Sequence, residues 1–251
     1  MINVGIIGCG FVGGALKDWL EHNNPECKLF ISDPAKGYHD DMKDIDIAFL
    51  QIHVSTEDDG TKDLSLMKEL ISALPDVPVF VRTTILPGSS ELLSKETGHH
   101  VHYMPEFLTE RTHIEDFKKQ TMVFTGALEL LTKIFIGKKF TVMTPLEAEL
   151  TKYMHNVFGA YKVTYFNACR EYCEKMGADW RTVHTGVLLS GYINDTHTYV
   201  PGPDGKFGYG GKCFPKDVNA FAKMTQETPL GVLLAPLHEL NVHFRGEEEI
   251  I

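Results

Sequence analysis

The run Ile2-Asn3-Val4-Gly5-Ile6-Ile7-Gly8-Cys9-Gly10-Phe11-Val12-Gly13 decides the fold of this chain. Its first half is an apolar strand, and its second half is a G-x-G-x-x-G turn that opens a helix expected over residues 13–21. Gly8 permits the tight turn, Gly10 lets the backbone approach a pyrophosphate, and Gly13 allows close packing of helix on strand. The helix N-terminus, entered through Phe11 and Val12, offers free N–H groups and a favourable dipole to phosphate. A second strand at 28–32 ends on Asp33, an acidic residue about 20 positions beyond the turn, as the fingerprint requires. Asp33 is read as accepting both ribose hydroxyls. It would repel a 2′-phosphate, so NAD is favoured over NADP, and Lys36 weakens that preference slightly.

Outward from this turn, strand and helix alternate. Continuous apolar runs at 45–52 and 77–83 read as buried strands, as do 101–104, 121–125 and 140–143. Helices are expected over 64–74 and 127–135. Unbroken apolar strands separated by helices imply a parallel sheet covered on both faces. Only residues 34–44 separate Asp33 from the next strong strand, too few for a full helix and strand. From residue 146 the pattern changes to helix: one long helix over 146–176, a second over 179–189 with Asp179 as N-cap, and others over 216–225 and 230–244. The fold expected is α/β, with a Rossmann-like parallel-sheet domain at 1–144 followed by an all-helical domain at 145–251.

Composition narrows the function. The chain has 251 residues, 43% hydrophobic and 23% charged, enough for real cores. A net charge of −10 argues against a general nucleic-acid binder. No apolar run reaches the roughly 20 residues of a membrane span, and residues 1–14 do not read as a signal peptide. The 5 cysteines are scattered and odd in number, which fits a reducing cytoplasm better than a disulfide framework. His99, His100 and His102 read as an exposed loop rather than a metal site, and the acidic tail Glu247–Glu249 as a solvated end.

The most specific stretch is Phe207-Gly208-Tyr209-Gly210-Gly211-Lys212-Cys213-Phe214-Pro215-Lys216-Asp217. Its glycines read as freeing backbone for close ligand approach. Cys213 precedes a helix start and is flanked by Lys212 and Lys216, a setting that lowers a thiol pKa and suits a nucleophile. The other reading of any such cysteine is a buried structural thiol, and Cys9, Cys27, Cys169 and Cys173 keep that reading.

Gly208 to Asp217 resembles the G-[FY]-G-G-S-C-F-P-K-D hallmark of the UDP-glucose/GDP-mannose 6-dehydrogenase family. Ala148-Glu149-Leu150-Thr151-Lys152-Tyr153-Met154-His155-Asn156 is similar to its A-E-x-x-K-x-x-x-N segment. Met104 to Glu110 is similar to N-P-E-F-L-x-E, Arg82 to Gly88 to [KS]-S-T-[VIL]-x-P-G, and Asp58 to Ser65 to a D-x-D-G-x-x-D-L-S stretch. These come in the family's order between Met1 and about Arg245. The resemblance implies an NAD-dependent double oxidation of a nucleotide sugar, from alcohol to carboxylate, through a thiohemiacetal and a thioester.

Within that resemblance Cys213 is the nucleophile. Lys152 and Asn156, four apart on one helix face, direct donors at the developing oxyanion. Asp217 holds a water with Lys152 and Thr84 for the first deprotonation. Glu106 is the base for thioester hydrolysis, while Glu110 orients cofactor and loop. Thr84, Glu110 and Lys216 join the cofactor set, and Phe107, Leu108, Phe207, Gly208, Tyr209 and Gly210 join Lys152 and Asn156 in holding the sugar. The family uses no metal, and its long helix packs against a twin, so a homodimer is expected.

The chain departs from the pattern at Lys212, where the family has serine, and at Arg111, where glycine often follows the second glutamate. Tyr192 stands in place of an arginine that reaches the neighbouring subunit's substrate. Family members also carry a third, C-terminal domain that grips the nucleotide. Residues 230–245 resemble the helix leading into it and the sequence stops at Ile251, so a reduced form is expected. Two other readings remain. One is a two-electron hydroxyacid dehydrogenase, which shares the Lys-x-x-x-Asn helix but lacks the cysteine loop. The other is a degenerate NAD-binding module.

Overall fold

The computed structural model describes residues 1–57 and 60–246. Asp58, Asp59 and the tail Glu247–Glu249 lie outside the described residues. Its contacts divide the chain into two compact units: residues 1–57 with 62–152, and residues from Tyr153 onward with Gly60 and Thr61.

The first unit is the α/β part. Its elements are β1 (Ile2–Ile7), α1 (Phe11–Asn23), β2 (Cys27–Asp33), β3 (Tyr38–His39), β4 (Ile47–Leu50), α2 (Ser65–Ser72), β5 (Val79–Val81), α3 (Ser89–Thr97), β6 (Val101–Tyr103), α4 (His113–Lys119), β7 (Met122–Phe124), α5 (Leu128–Ile134) and β8 (Phe140–Val142). Six strands form one sheet in the order β3-β2-β1-β4-β5-β6. All its pairings are parallel except β2–β3. This order places the crevice for a nucleotide beyond the carboxyl ends of β1 and β4, where the winding reverses.

Alternation along the strands builds two cores. Val4, Ile6, Ile47, Phe49 and Phe80 face one side with Leu16, Trp19 and Phe117. Ile7, Ala48, Leu50, Val79 and Val81 face the other with Met67, Ile71 and Leu93. Period-two burial on both faces is what near-continuous apolar strands produce.

One detail follows the sequence reading and two differ from it. Past Asp33 the chain makes only a 3-10 turn, Pro34–Lys36, and the antiparallel β3. The missing crossover is replaced by a short edge strand, as the 34–44 spacing demands. Strands β7 and β8 pair only with each other. The β6 edge meets the end of β7 through a side chain instead: Thr125 Oγ1 accepts from Tyr103 N–H at 3.1 Å and donates to Tyr103 O at 3.0 Å. His102 is not in an exposed loop. It lies in β6 on the face opposite Val101 and Tyr103, stacked on Phe80 at 4.8 Å, with Nδ1 donating to Thr125 O at 3.1 Å. Burial lowers its pKa.

The helix α6 (Pro145–Lys175) runs for 31 residues and continues into the second unit. It starts at the proposed 144/145 boundary, whereas the contacts divide the chain after Lys152. The second unit is helical: α7 (Trp180–Leu188), α8 (Phe214–Met224), α9 (Pro229–Leu234) and α10 (Leu237–Arg245). Asp179 caps α7 by accepting from Arg181 and Thr182 N–H. Tyr153 stacks on Phe221 at 5.2 Å, and the Phe214 ring fills the space a Cβ on Gly159 would take. The single helix expected over 230–244 is two, α9 and α10, because Pro236 interrupts the run and sits at the N-cap of α10.

Candidate active site

The nucleotide turn is built as its glycines suggest. Gly8 has φ +84°, and a Cβ there would lie 2.5 Å from Gln51 O. A Cβ on Gly13 would lie 2.1 Å from Gly8 O. Gly10 differs, since nothing lies within 4 Å of its would-be Cβ. That open face, with the first-turn N–H groups of Phe11, Val12 and Gly13 that a helix leaves without internal partners, suits a pyrophosphate. Asp33 Oδ2 accepts the Cys9 N–H at 2.7 Å, and Lys36 Nζ donates to Cys9 O at 2.6 Å. Asp33 and Lys36 therefore hold the loop from both sides. A cavity of about 540 Å³ adjoins the turn, lined by Gly10, Phe11, Lys36, Tyr38, Glu110 and His113 among others. The residues present thus fit a dinucleotide, with Glu110 brought to the turn from 100 positions downstream.

Arg82, which the sequence did not single out, lies beneath this turn. It is 1% exposed, donates from Nη1 to Val12 O at 3.4 Å, and sits 5.3 Å from the Phe117 ring centre. Burial lowers its pKa to about 10, against the pull of Glu106 and Tyr103. It remains a cation, because a guanidinium keeps its proton at neutral pH.

Glu106 and Lys152 form a buried pair, Nζ to Oε1 at 2.9 Å, with side chains 6% and 3% exposed. The ammonium also donates to the Glu106 carbonyl at 2.5 Å. Leu108 N–H donates to Glu106 Oε2 at 2.7 Å, and the Phe107 ring centre lies 5.6 Å from the Lys152 ammonium. Burial pushes the Glu106 carboxyl up, but Lys152, the Leu108 N–H and Arg82 outweigh it and hold the group below the usual carboxylate range. Thr84 is buried at the carboxyl end of β5, and its hydroxyl makes no hydrogen bond among the described residues.

Glu149, in the same motif as Lys152, has a role the motif did not reveal. It accepts from Gly88 N–H at 2.6 Å, Ser90 N–H at 2.9 Å and Ser90 Oγ at 2.6 Å. It therefore caps α3, whose own N-cap, Gly88, has no side chain. Burial raises its pKa against these bonds.

In the second unit Cys213 is a half-buried cysteine outside any disulfide, at the N-cap of α8. Asp217, one turn on, is fully buried. Its Oδ2 accepts from Asn156 Nδ2 at 2.7 Å, and its Oδ1 pairs with Lys216 Nζ at 2.5 Å. Asn156 is thereby oriented by Asp217, and Lys216 is held at the first turn of α8.

The loop before Cys213 shows why its glycines are there. A Cβ on Gly208 would lie 2.5 Å from Asn241 Oδ1, and one on Gly210 would lie 2.4 Å from Arg245 Nη2. Both positions lie against side chains of α10. Tyr209 is buried, and its hydroxyl donates to Leu237 O at 3.3 Å. Burial raises its phenol pKa, so it stays protonated. Phe207 lies under the Arg170 guanidinium at 4.4 Å. Tyr192 is 90% exposed.

Among the described residues no group of His, Cys, Asp and Glu is placed to hold a metal, and no helix is long and apolar enough to cross a membrane.

Residues 146–241 match the UDP-glucose/GDP-mannose dehydrogenase family, central domain. The UDP-glucose 6-dehydrogenase of Rickettsia prowazekii is 27% identical over 278 positions, covering 90% of this chain and 63% of its own length. That of Rhizobium meliloti is 32% identical, covering 79% of this chain and 52% of its own length. This chain therefore spans under two thirds of either relative. A UDP-glucose dehydrogenase structure from Pyrobaculum islandicum superposes with a TM-score of 0.79 at 23% identity, over 97% of this chain and 68% of that one. Residues 146–241 are therefore similar to the central domain of the UDP-glucose/GDP-mannose dehydrogenase family, within a fold shared along nearly the whole chain with that structure.

Proposed function

We propose that this chain oxidises a nucleotide sugar from alcohol to carboxylate in two hydride transfers, with Cys213 as the covalent nucleophile. The observation that carries the reading is the setting of Cys213: a cysteine at the N-cap of α8, one turn from Asp217 and its Asn156–Asp217–Lys216 network. NAD, when bound, accepts one hydride at each oxidation. Gly8, Gly10, Phe11, Val12, Gly13, Asp33 and Lys36 would hold it, with Glu110 at the rim and Thr84 and Lys216 also in its set.

In the first oxidation the C–H bond of the alcohol carbon breaks as hydride and the hydroxyl proton leaves to water. Lys152, Thr84 and Asp217 serve this deprotonation. The Cys213 thiolate then adds to the aldehyde carbon to form a thiohemiacetal. Lys152 and Asn156 donate to its oxygen, where negative charge develops. Loss of the second hydride leaves a thioester. Water attacks the thioester carbon with Glu106 taking its proton, the C–S bond breaks, and the carboxylate departs. The depressed pKa of Glu106 keeps it ionised for this step.

The partner we propose is a second copy of the chain. On α6 the side chains Met154, Phe158, Tyr161, Tyr165 and Tyr172 are exposed at steps of four, three, four and seven residues, with Phe158 at 66%. An apolar stripe of that period is a helix-packing seam. Light scattering at the dimer mass is expected, and a monomer at micromolar protein would remove this part of the reading.

The catalytic reading is tested by counting NADH against sugar consumed across a panel of nucleotide sugars and simple hydroxyacids. Two NADH per nucleotide sugar is expected. One NADH per hydroxyacid would instead make the chain a two-electron enzyme.

A further inference from the structure

The last described helix grips the cysteine loop from behind. Asn241 is 0% exposed and pairs with the backbone of Tyr209 in both directions, Oδ1 accepting the N–H at 2.7 Å and Nδ2 donating to the carbonyl at 2.9 Å. One side chain thus does for Tyr209 what a neighbouring strand would do. Arg245, one turn on, donates from Nη1 to Phe207 O at 3.0 Å and to Gly208 O at 3.2 Å. Its Nη2 pairs with Asp204, at the start of the same loop. From α6, Asn167 Oδ1 accepts the Gly208 N–H at 3.0 Å. Consecutive backbone groups from residue 207 to 209 are therefore all held by side chains of helices.

Glycine at 208 suits this grip, since its φ is +67° and a Cβ there would meet Asn241 Oδ1, while a Cβ at 210 would meet the flexible end of Arg245. Gly211 differs: its would-be Cβ meets nothing, and only its φ of +76° calls for glycine. The hydrogen-bonded grip ends at Tyr209, four residues before Cys213.

We infer that Asn241 and Arg245 are positioning residues for Cys213, and that α10 sets the placement of the nucleophile through loop 207–211. Their printed hydrogen bonds go to loop backbone and to Asp204. They fix the backbone from which Cys213 is presented, and a loop freed from them samples other conformations. The kinetic consequence rests on the proposed function, whereas the structural one does not.

The test labels the folded protein with iodoacetamide and reads each cysteine by peptide mass spectrometry. Arg245→Ala and Asn241→Ala should change the Cys213 rate at least fivefold and move the pH profile of labelling. Cys27, in the other unit, should keep its wild-type rate. Arg245→Lys retains one donor and should lie between. Asp204→Ala, at a side chain 47% exposed, should give a smaller change in the same direction without threatening the fold. Where turnover is measurable, Arg245→Ala should lower NADH per sugar consumed from two toward one, as aldehyde escapes before the thiol adds. A Cys213 rate within twofold of wild type in every variant would overturn the inference. So would Cys27 and Cys213 rising together in all of them, since that is global destabilisation. If the wild-type chain oxidises no nucleotide sugar, the Cys213 labelling alone decides.

Discussion

Each of the two units of this chain carries a glycine-rich turn, and the two use glycine in different ways. In the nucleotide turn, Gly8 and Gly13 are forced by backbone, Gln51 O and Gly8 O, while Gly10 faces open space. In the cysteine loop, Gly208 and Gly210 lie against side chains of α10, Asn241 and the flexible end of Arg245, more than 30 positions away. The first turn is thus self-contained, fixed by strand, turn and helix in one contiguous run. The second is shaped by a remote helix. A glycine motif identifies a place where backbone comes close to something, and only the structure shows whether that something is a ligand or the protein itself.

Substitutions can break this comparison. The largest effect is expected at the thiol. Cys213→Ser should cut carboxylate formation by at least about 10³-fold, the scale of removing a covalent nucleophile. Dinucleotide affinity, read by calorimetry, should not change, because the nucleotide turn does not depend on the cysteine loop. A parallel loss of cofactor binding would mean that the two turns are coupled.

Next comes the buried pair. Lys152→Met leaves Glu106 ionisable without its ammonium and should cost about 3–5 kcal/mol in urea unfolding. The pH dependence has a definite sign. Glu106 titrates below its ordinary 4.5 in the folded chain. Its contribution to stability is therefore full above about pH 4.5 and lost as pH falls through the depressed value. Lys152→Met should flatten that acid limb, and an unchanged limb would show that another carboxylate carries it.

The glycines themselves give a sharper and smaller contrast. Gly13→Ala drives a Cβ against Gly8 O and should cost about 1–3 kcal/mol of stability. Gly10→Ala should leave thermal stability unchanged yet weaken NAD binding roughly tenfold, about 1.4 kcal/mol. Equal melting temperatures for the two variants would contradict the packing assigned to the turn.

The smallest effect is expected at Glu149. Glu149→Ala removes the remote cap of α3 and should cost about 1 kcal/mol, within the range for lost N-caps, with the loss confined by hydrogen exchange to α3.

What the sequence showed and what it hid follow the same division. The strand–turn–helix at 2–23 was readable because its signals are contiguous. So were the buried strands and the long helix α6, which carry strong periods. Helix α3 was not seen because its cap is Glu149, 59 positions on. Helix α4 was missed because only Phe117 in its seven residues is buried. The break between α9 and α10 was written in Pro236, and reading that proline as a stop would have found it. The site residues carried by motifs were legible as residue types. Arg82, Asn167, Asn241 and Arg245 were not, since their work is to meet backbone groups that only the fold brings near.

The most direct test of the central claim is to catch the covalent intermediate. Glu106→Gln should form the thioester and fail to hydrolyse it. Acid-quenched protein, incubated with NAD and nucleotide sugar and digested, should then show the sugar acyl mass on the Cys213 peptide. Carboxylate product with no adduct on Cys213, or an adduct on another cysteine, would contradict the account.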